Sequence, residues 1–188
     1  MTLNNLIVEI DTTYNNKVGN ITVNSTIDSV IHINRVATVV DAPEGVVVEV
    51  GDKVLVHHNI FREKTMLNGE RVLGDYNLYG KTYYVPLLLV YAYKRDGDWE
   101  SLSPFVFVEA VKREDKVVGG FIIDAQEHNS HKGRLNNVGV VKYPNKDLVE
   151  MGVKVGDSVV FTPDSEHEYI IDNKVLYRMR TQDIVGKV

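Results

Sequence analysis

The sequence predicts an all-β protein built as two tandem copies of one small domain, and three observations carry that reading. Short stretches rich in β-branched and aromatic residues recur along the chain, closed by Gly, Asn, Asp and Pro. No window holds an apolar period of 3.6 over a dozen residues, as a core helix requires. The pattern V-x-V-G-D-x-V stands at residues 48–54 and returns at 153–159.

The strand signals fall at residues 6–10, 46–50, 54–56, 105–111, 153–155 and 158–161. Short strands closed by turn residues point to a sandwich or a barrel. In the repeated motif Gly supplies an unusual backbone angle, Asp caps the turn and alternating valines face a core. The 188 residues suit two domains of about 90 each. A hydrophobic content of 44% with 25% charged residues is that of an ordinary globular chain.

Further matches occur in the same order as the motif. Val8-Glu9 matches Val108-Glu109, and Lys17-Val18-Gly19 matches residues 116–119 with one residue of slack. Val39-Val40 with Pro43 matches Val140-Val141 with Pro144, and Gly80-Lys81-Thr82-Tyr83-Tyr84 matches Asn173-Lys174-Val175-Leu176-Tyr177. The offset begins near 100, grows to about 105 and falls to about 93. That drift places a short insertion in copy two near 145–151 and a longer one in copy one near 61–75, both in turn-rich stretches. Copy one is residues 1–93, a charged linker covers 94–104, and copy two is 105–188. Tyr91–Tyr93 and Phe105–Val108 stand ready to pair as a hairpin across the linker, with Trp99 packing at the junction.

Several function classes are disfavoured. The longest apolar run, residues 85–93, is far short of the roughly 20 residues that span a bilayer. The N-terminus has no basic stretch before its apolar residues, so the expected compartment is the cytoplasm. With no cysteine, disulfides and thiolate chemistry are excluded. A net charge of −5 argues against nucleic-acid binding. There is no P-loop and no G-x-S-x-G, and acids such as Asp52 and Asp157 read as turn caps, so no catalytic residue, cofactor or metal is assigned. His57 and His58, neighbours on a strand, would point to opposite faces. His128 and His131 lie in a polar, solvated loop. Asn20-Ile21-Thr22 and Asn24-Ser25-Thr26 match the glycosylation sequon, which means little without a signal peptide.

Copy two resembles the co-chaperonin family typified by GroES. The resemblance is carried by Val111-Lys112-Arg113-Glu114, then Gly119-Gly120-Phe121-Ile122-Ile123, a polar stretch at 124–132 and a valine-rich strand at 133–141. It continues through residues 153–161 and closes with Ile171-Asp172-Asn173-Lys174-Val175-Leu176-Tyr177-Arg178-Met179. Copy one resembles the family only through copy two: its loop reads Val18-Gly19-Asn20-Ile21-Thr22-Val23.

The resemblance implies an irregular β-barrel per copy, with hairpins near 41–49 and 142–153 projecting as a roof. It also implies a non-enzymatic lid for a GroEL-type, ATP-dependent chaperonin ring, closing a chamber around an unfolded client protein. The binding residues would be Gly119, Gly120, Phe121, Ile122 and Ile123, helped by Ile21, Thr22 and Val23. In an arbitrary β protein such a triplet is a buried strand after a bulge. Burying three such side chains gives roughly 1.5–3 kcal/mol each, while ordering the loop costs about 1–2 kcal/mol per residue fixed. The sum per loop is close to zero, so affinity requires several loops on one homo-oligomer docking together. The resemblance implies a sevenfold partner. Either one domain of the whole two-domain chains is left over, or seven chains form a heptamer, a ring of second copies with the first copies as an extra tier, an arrangement that the divergent loop of copy one suits. The alternatives are a ring-forming assembly protein, such as a viral capsid or tail component, and a substrate-binding module detached from an enzyme. A viral source would make the compartment the host cytoplasm.

Overall fold

The computed structural model describes residues 4–11, 17–18, 21–22, 35–112, 116–118, 121–123 and 134–188. The chain divides into two compact units, Met1–Glu100 and Ser101–Val188.

In the first unit the strands are β1 (Asn5–Glu9), β2 (Lys17–Val18), β3 (Ile21–Thr22), β4 (Val36–Asp41), β5 (Lys53–Val56), β6 (Lys64–Thr65), β7 (Arg71–Val72), β8 (Asn77–Tyr79), β9 (Thr82–Pro86), β10 (Val90–Lys94) and β11 (Glu100–Ser101). The main sheet has the order β11-β10-β5-β4-β1-β9-β8, while β2-β3 and β6-β7 each form a separate two-stranded sheet. Alternation in Asn-Leu-Ile-Val-Glu sends Leu6 and Val8 into the core. There they join Val39, Val54, Tyr83 and Val85, all buried.

The second unit contains β12 (Phe105–Lys112), β13 (Lys116–Val118), β14 (Phe121–Ile123), β15 (Arg134–Tyr143), helix α1 (Lys146–Glu150), β16 (Ser158–Phe161), β17 (His167–Ile171), β18 (Lys174–Arg180) and β19 (Ile184–Lys187). Its main sheet runs β17-β18-β12-β15-β16-β19, with β13-β14 apart. β12 is buried on both faces. Val106 and Val108 join the core of Val141, Leu148, Val159 and Met179. Phe107 meets the rings of Tyr143 and Tyr169 edge-on, at 6.3 and 5.8 Å. The Arg178 guanidinium lies 5.1 Å over Phe105.

The two sheets share one order: β8-β9-β1-β4-β5-β10 in the first unit reads as β17-β18-β12-β15-β16-β19 in the second. The bulge between Ile7 and Val8 on β1 stands where Phe107 and Val108 stand on β12. A 3-10 turn follows β9 at Leu87–Leu89 and another follows β18 at Thr181–Asp183.

The structure departs from the sequence reading in six places. Among the described residues neither sheet closes into a hydrogen-bonded barrel: each keeps two outer strands, and register shifts interrupt the pairing of β10 with β5 and of β16 with β19. The hairpin across the linker does not form, because β10 lies between β11 and β5 while β12 lies between β18 and β15. Residues 46–50 and 153–155 are turns, not strands: Gly51 N–H donates to Val39 O and Gly156 N–H to Val141 O, each at 2.8 Å. The expected hairpin at 142–153 is instead β15 followed by a helix. Asn145 caps that helix by accepting from Leu148 N–H at 2.8 Å, and Leu148 is buried. The match of Tyr84 with Tyr177 slips by one, since Val8 opposes Tyr83 and Val108 opposes Tyr177. Finally, His57 and His58 lie beyond the end of β5, and their rings stack at 4.1 Å between centroids. The His57 Nδ1 accepts from Asn59 N–H at 3.1 Å.

Candidate functional site

The predicted binding segment of the second unit is the hairpin β13–β14. Its backbone register pairs Lys116 with Ile123, Val117 with Ile122 and Val118 with Phe121. The triplet Phe121-Ile122-Ile123 is therefore one whole strand of a two-stranded ribbon that, among the described residues, joins no other sheet. Gly119 and Gly120, which connect the two strands in sequence, lie outside the described residues, as do His128 and His131. In the first unit the ribbon is β2–β3, with Lys17 opposite Thr22 and Val18 opposite Ile21; Val23 lies outside the described residues. Ile21 thus holds the register position of Phe121, and Thr22 that of Ile122.

The main sheet decides where the ribbon departs. β12 and β16 are both antiparallel to β15, which lies between them, so they run in the same direction. The ribbon follows the C-terminal end of β12, and the Gly156-Asp157 turn precedes the N-terminal end of β16. The two features therefore belong to opposite ends of the sheet. Lys112 at the end of β12 is the cross-strand partner of Arg134 at the start of β15, so the segment leaves and returns at one paired position. In the first unit β1 and β5 flank β4 in the same way, and β2–β3 follows β1.

The opposite end is held by two matching turns. Asp52 Oδ2 accepts from Glu49 N–H at 2.8 Å, and Asp157 Oδ2 accepts from Lys154 N–H at 2.8 Å. Gly51 and Gly156 have φ of 95° and 88°, a region that suits glycine. Val48 and Val153 anchor each turn in its core, and Val50 and Val155 are exposed. In the first unit the Arg95 guanidinium holds the Asp52 carboxyl below its ordinary range, and Asp52 in turn raises Arg95. Lys187 lowers Asp157 in the same sense, bonding its Oδ2 at 2.7 Å. Burial, then a 2.6 Å hydrogen bond to Glu100, pushes the Tyr93 hydroxyl up to about 12.

Among the described residues no group of three or more His, Asp or Glu is placed to hold a metal. No helix among them is long and apolar enough to cross a membrane. Trp99 is buried in the first unit, with the Lys94 ammonium 5.9 Å over its ring. Sequence reasoning missed Arg95, which lies 43 residues from Asp52, and missed the ribbon β6–β7 inside the 61–75 insertion.

The family described as Chaperonin 10 Kd subunit matches residues 100–188. The co-chaperonin GroES of Pelagibacter ubique is 36% identical over 90 residues, covering 47% of this chain and 94% of that protein. That of Parvibaculum lavamentivorans is 37% identical over 83 residues, covering 43% and 79%. The Paracoccus denitrificans protein of the same name is 32% identical over 90 residues, covering 47% and 95%.

Proposed function

We propose, since this chain belongs to the chaperonin 10 family, that it acts as a co-chaperonin: a non-enzymatic, oligomeric lid docking on a GroEL-type chaperonin ring and assisting the folding of an enclosed client. Residues Gly119, Gly120, Phe121, Ile122 and Ile123 form the principal contact, with Ile21, Thr22 and Val23 as a weaker one. The first unit is a divergent second copy of the same domain, a reading supported by the shared strand order. The place of action is the cytoplasm.

The observation that carries this reading is the ribbon β13–β14. It puts Phe121–Ile123 on a strand outside the main sheet, at the end away from the Gly156-Asp157 turn. A ribbon of that kind can add to a partner's surface without disturbing the core of its own unit. Each loop is individually weak because gain and ordering cost nearly cancel, so function requires a ring of loops.

The test is co-migration of the purified chain with a GroEL-type chaperonin on a sizing column, with and without adenine nucleotide. Wild type is expected to co-migrate only with nucleotide, and the Phe121→Ser/Ile122→Ser/Ile123→Ser variant is expected to elute free. Binding retained by that variant would move the contact elsewhere. No binding by wild type to its host's chaperonin would sink the co-chaperonin reading. Native mass is expected to give seven chains; three or four per particle would overturn the sevenfold ring.

A further inference from the structure

The first unit carries a second ribbon that has no counterpart among the described residues of the second unit. β6 and β7 pair through Lys64–Val72 and Thr65–Arg71 and, among the described residues, join no other sheet. The ribbon's tip is a closed turn: Met66 N–H donates to Glu70 O at 2.8 Å, and Gly69 N–H donates to Met66 O at 2.9 Å. Gly69 has φ of 80°, which a short hairpin loop of this type requires, and Asn68 Oδ1 accepts from Glu70 N–H at 3.0 Å. The base is fixed as well. Ile60 and Phe61 are buried, Phe61 meets Tyr83 edge-on at 5.1 Å, and Lys64 pairs with Asp75.

This ordered stalk presents two apolar side chains to solvent. Met66 is 52% exposed and Leu67 is 110% exposed. The ribbon follows β5, and β5 runs in the same direction as β1, because β4 is antiparallel to both. It therefore departs from the same end of the sheet as β2–β3, the first unit's docking ribbon. That docking ribbon is the less apolar of the two, with Thr22 at the register position where the second unit has Ile122.

We propose that Met66 and Leu67 form a second, pre-ordered contact of the first unit with the apolar surface of the chaperonin ring. The inference rests on the co-chaperonin reading above. A tip already fixed by its own hydrogen bonds loses little conformational freedom on docking, so two side chains can serve where a loop that must order needs three. The first unit then offers two weak contacts on one face, and the ring multiplies both.

The full chain contains no cysteine, so Leu67→Cys introduces a single thiol for a solvent-sensitive dye. The dye is expected to shift to the blue on addition of chaperonin and nucleotide. Met66→Ser/Leu67→Ser, with unchanged Trp99 emission, is expected to bind the chaperonin at least about tenfold more weakly, since two buried apolar contacts are lost per site. An unmoved dye, or wild-type affinity in that variant, overturns this inference and leaves the co-chaperonin reading intact, provided that the Phe121/Ile122/Ile123 variant still fails to bind. A blue shift in the protein alone would assign the tip to a second copy of this chain, and one seen only with unfolded client would assign it to the client; either overturns the inference. Failure of wild type itself to bind would remove both readings together.

Discussion

Asp52 and Arg95 face each other through two parallel hydrogen bonds, Nε to Oδ1 and Nη2 to Oδ2, both at 2.9 Å. The carboxylate is 2% exposed, and it also accepts from Glu49 N–H. The Arg95 Nη2 donates a further bond to Val47 O at 3.0 Å, and Nη1 lies 3.1 Å from Glu49 Oε1. One guanidinium thereby holds both sides of the turn before β5. In the second unit Asp157 has the same backbone bond but is 21% exposed and meets the half-exposed Lys187 ammonium at 2.7 Å. A planar fork fixes two carboxylate oxygens at once, whereas a point charge fixes neither in direction.

Asp52→Ala is therefore expected to cost about 1–3 kcal/mol in the first unit, by removing a buried acceptor with three donors. Asp157→Ala is expected to cost less, since water replaces its partners. Trp99, the chain's sole tryptophan, lies in the first unit and reads Asp52→Ala in a urea titration, while far-UV circular dichroism of the same titration reads Asp157→Ala in the second. Equal losses in both variants would contradict the account.

Acid stability follows from the same pair. Asp52 titrates lower in the folded chain than when unfolded, so its contribution is complete above about pH 4 and is lost as pH falls through the depressed folded value. The Trp99-reported midpoint should drop across that window, and Asp52→Asn should flatten the drop. A drop unchanged in Asp52→Asn would assign it to other carboxylates.

At the alkaline end Tyr93 is the group to follow. Its hydroxyl ionises at about 12 when folded, because burial and the Glu100 hydrogen bond disfavour the phenolate. An unfolded tyrosine ionises near 10, so the contribution is complete below about pH 10 and is lost as pH rises through 12. Absorbance titration should show a late-ionising step at about pH 12, and Tyr93→Phe should remove one tyrosine's share of it. A late step that survives the substitution undiminished belongs to other tyrosines.

Asn145 joins two elements of the second unit, capping α1 through Leu148 N–H and donating to Thr181 Oγ1 at 2.6 Å. It is 1% exposed, so Asn145→Ala leaves a buried N–H and a hydroxyl short of a partner. The expected cost is about 1–2 kcal/mol, with Asn145→Asp recovering the cap but not the bond to Thr181. A melt of Asn145→Ala at the wild-type midpoint would show that the cap contributes nothing.

How far the sequence could be read depended on the range of each interaction. The turns at Gly51-Asp52 and Gly156-Asp157 were legible because their capping bonds reach only three residues, to Glu49 and Lys154. The valines around them misled: V-x-V suits a strand, but here one valine anchors a turn and the next faces water. Helix α1 has only five residues, too few for a helical period to show. The match of Tyr84 with Tyr177 slipped although both closing hairpins turn over two residues, because the partner of Val8 lies one residue past Thr82, at Tyr83, and the partner of Val108 lies three past Lys174, at Tyr177.

By itself the sequence determined an all-β chain, the Gly-Asp turns, and a second half whose ordered motifs mark its family, since period, turn chemistry and spacing are local properties of the chain. Only the tertiary structure decided which strands are neighbours, that the sheets stay open among the described residues, and that Arg95 locks one turn through two bonds while Lys187 meets the other through one. Val8 meets Tyr83 and Asp52 meets Arg95 across long stretches of chain, and no local pattern specifies which distant partner a residue finds. That choice is made by the burial and hydrogen bonding of the whole sheet at once, weighed against the entropy of closing each loop.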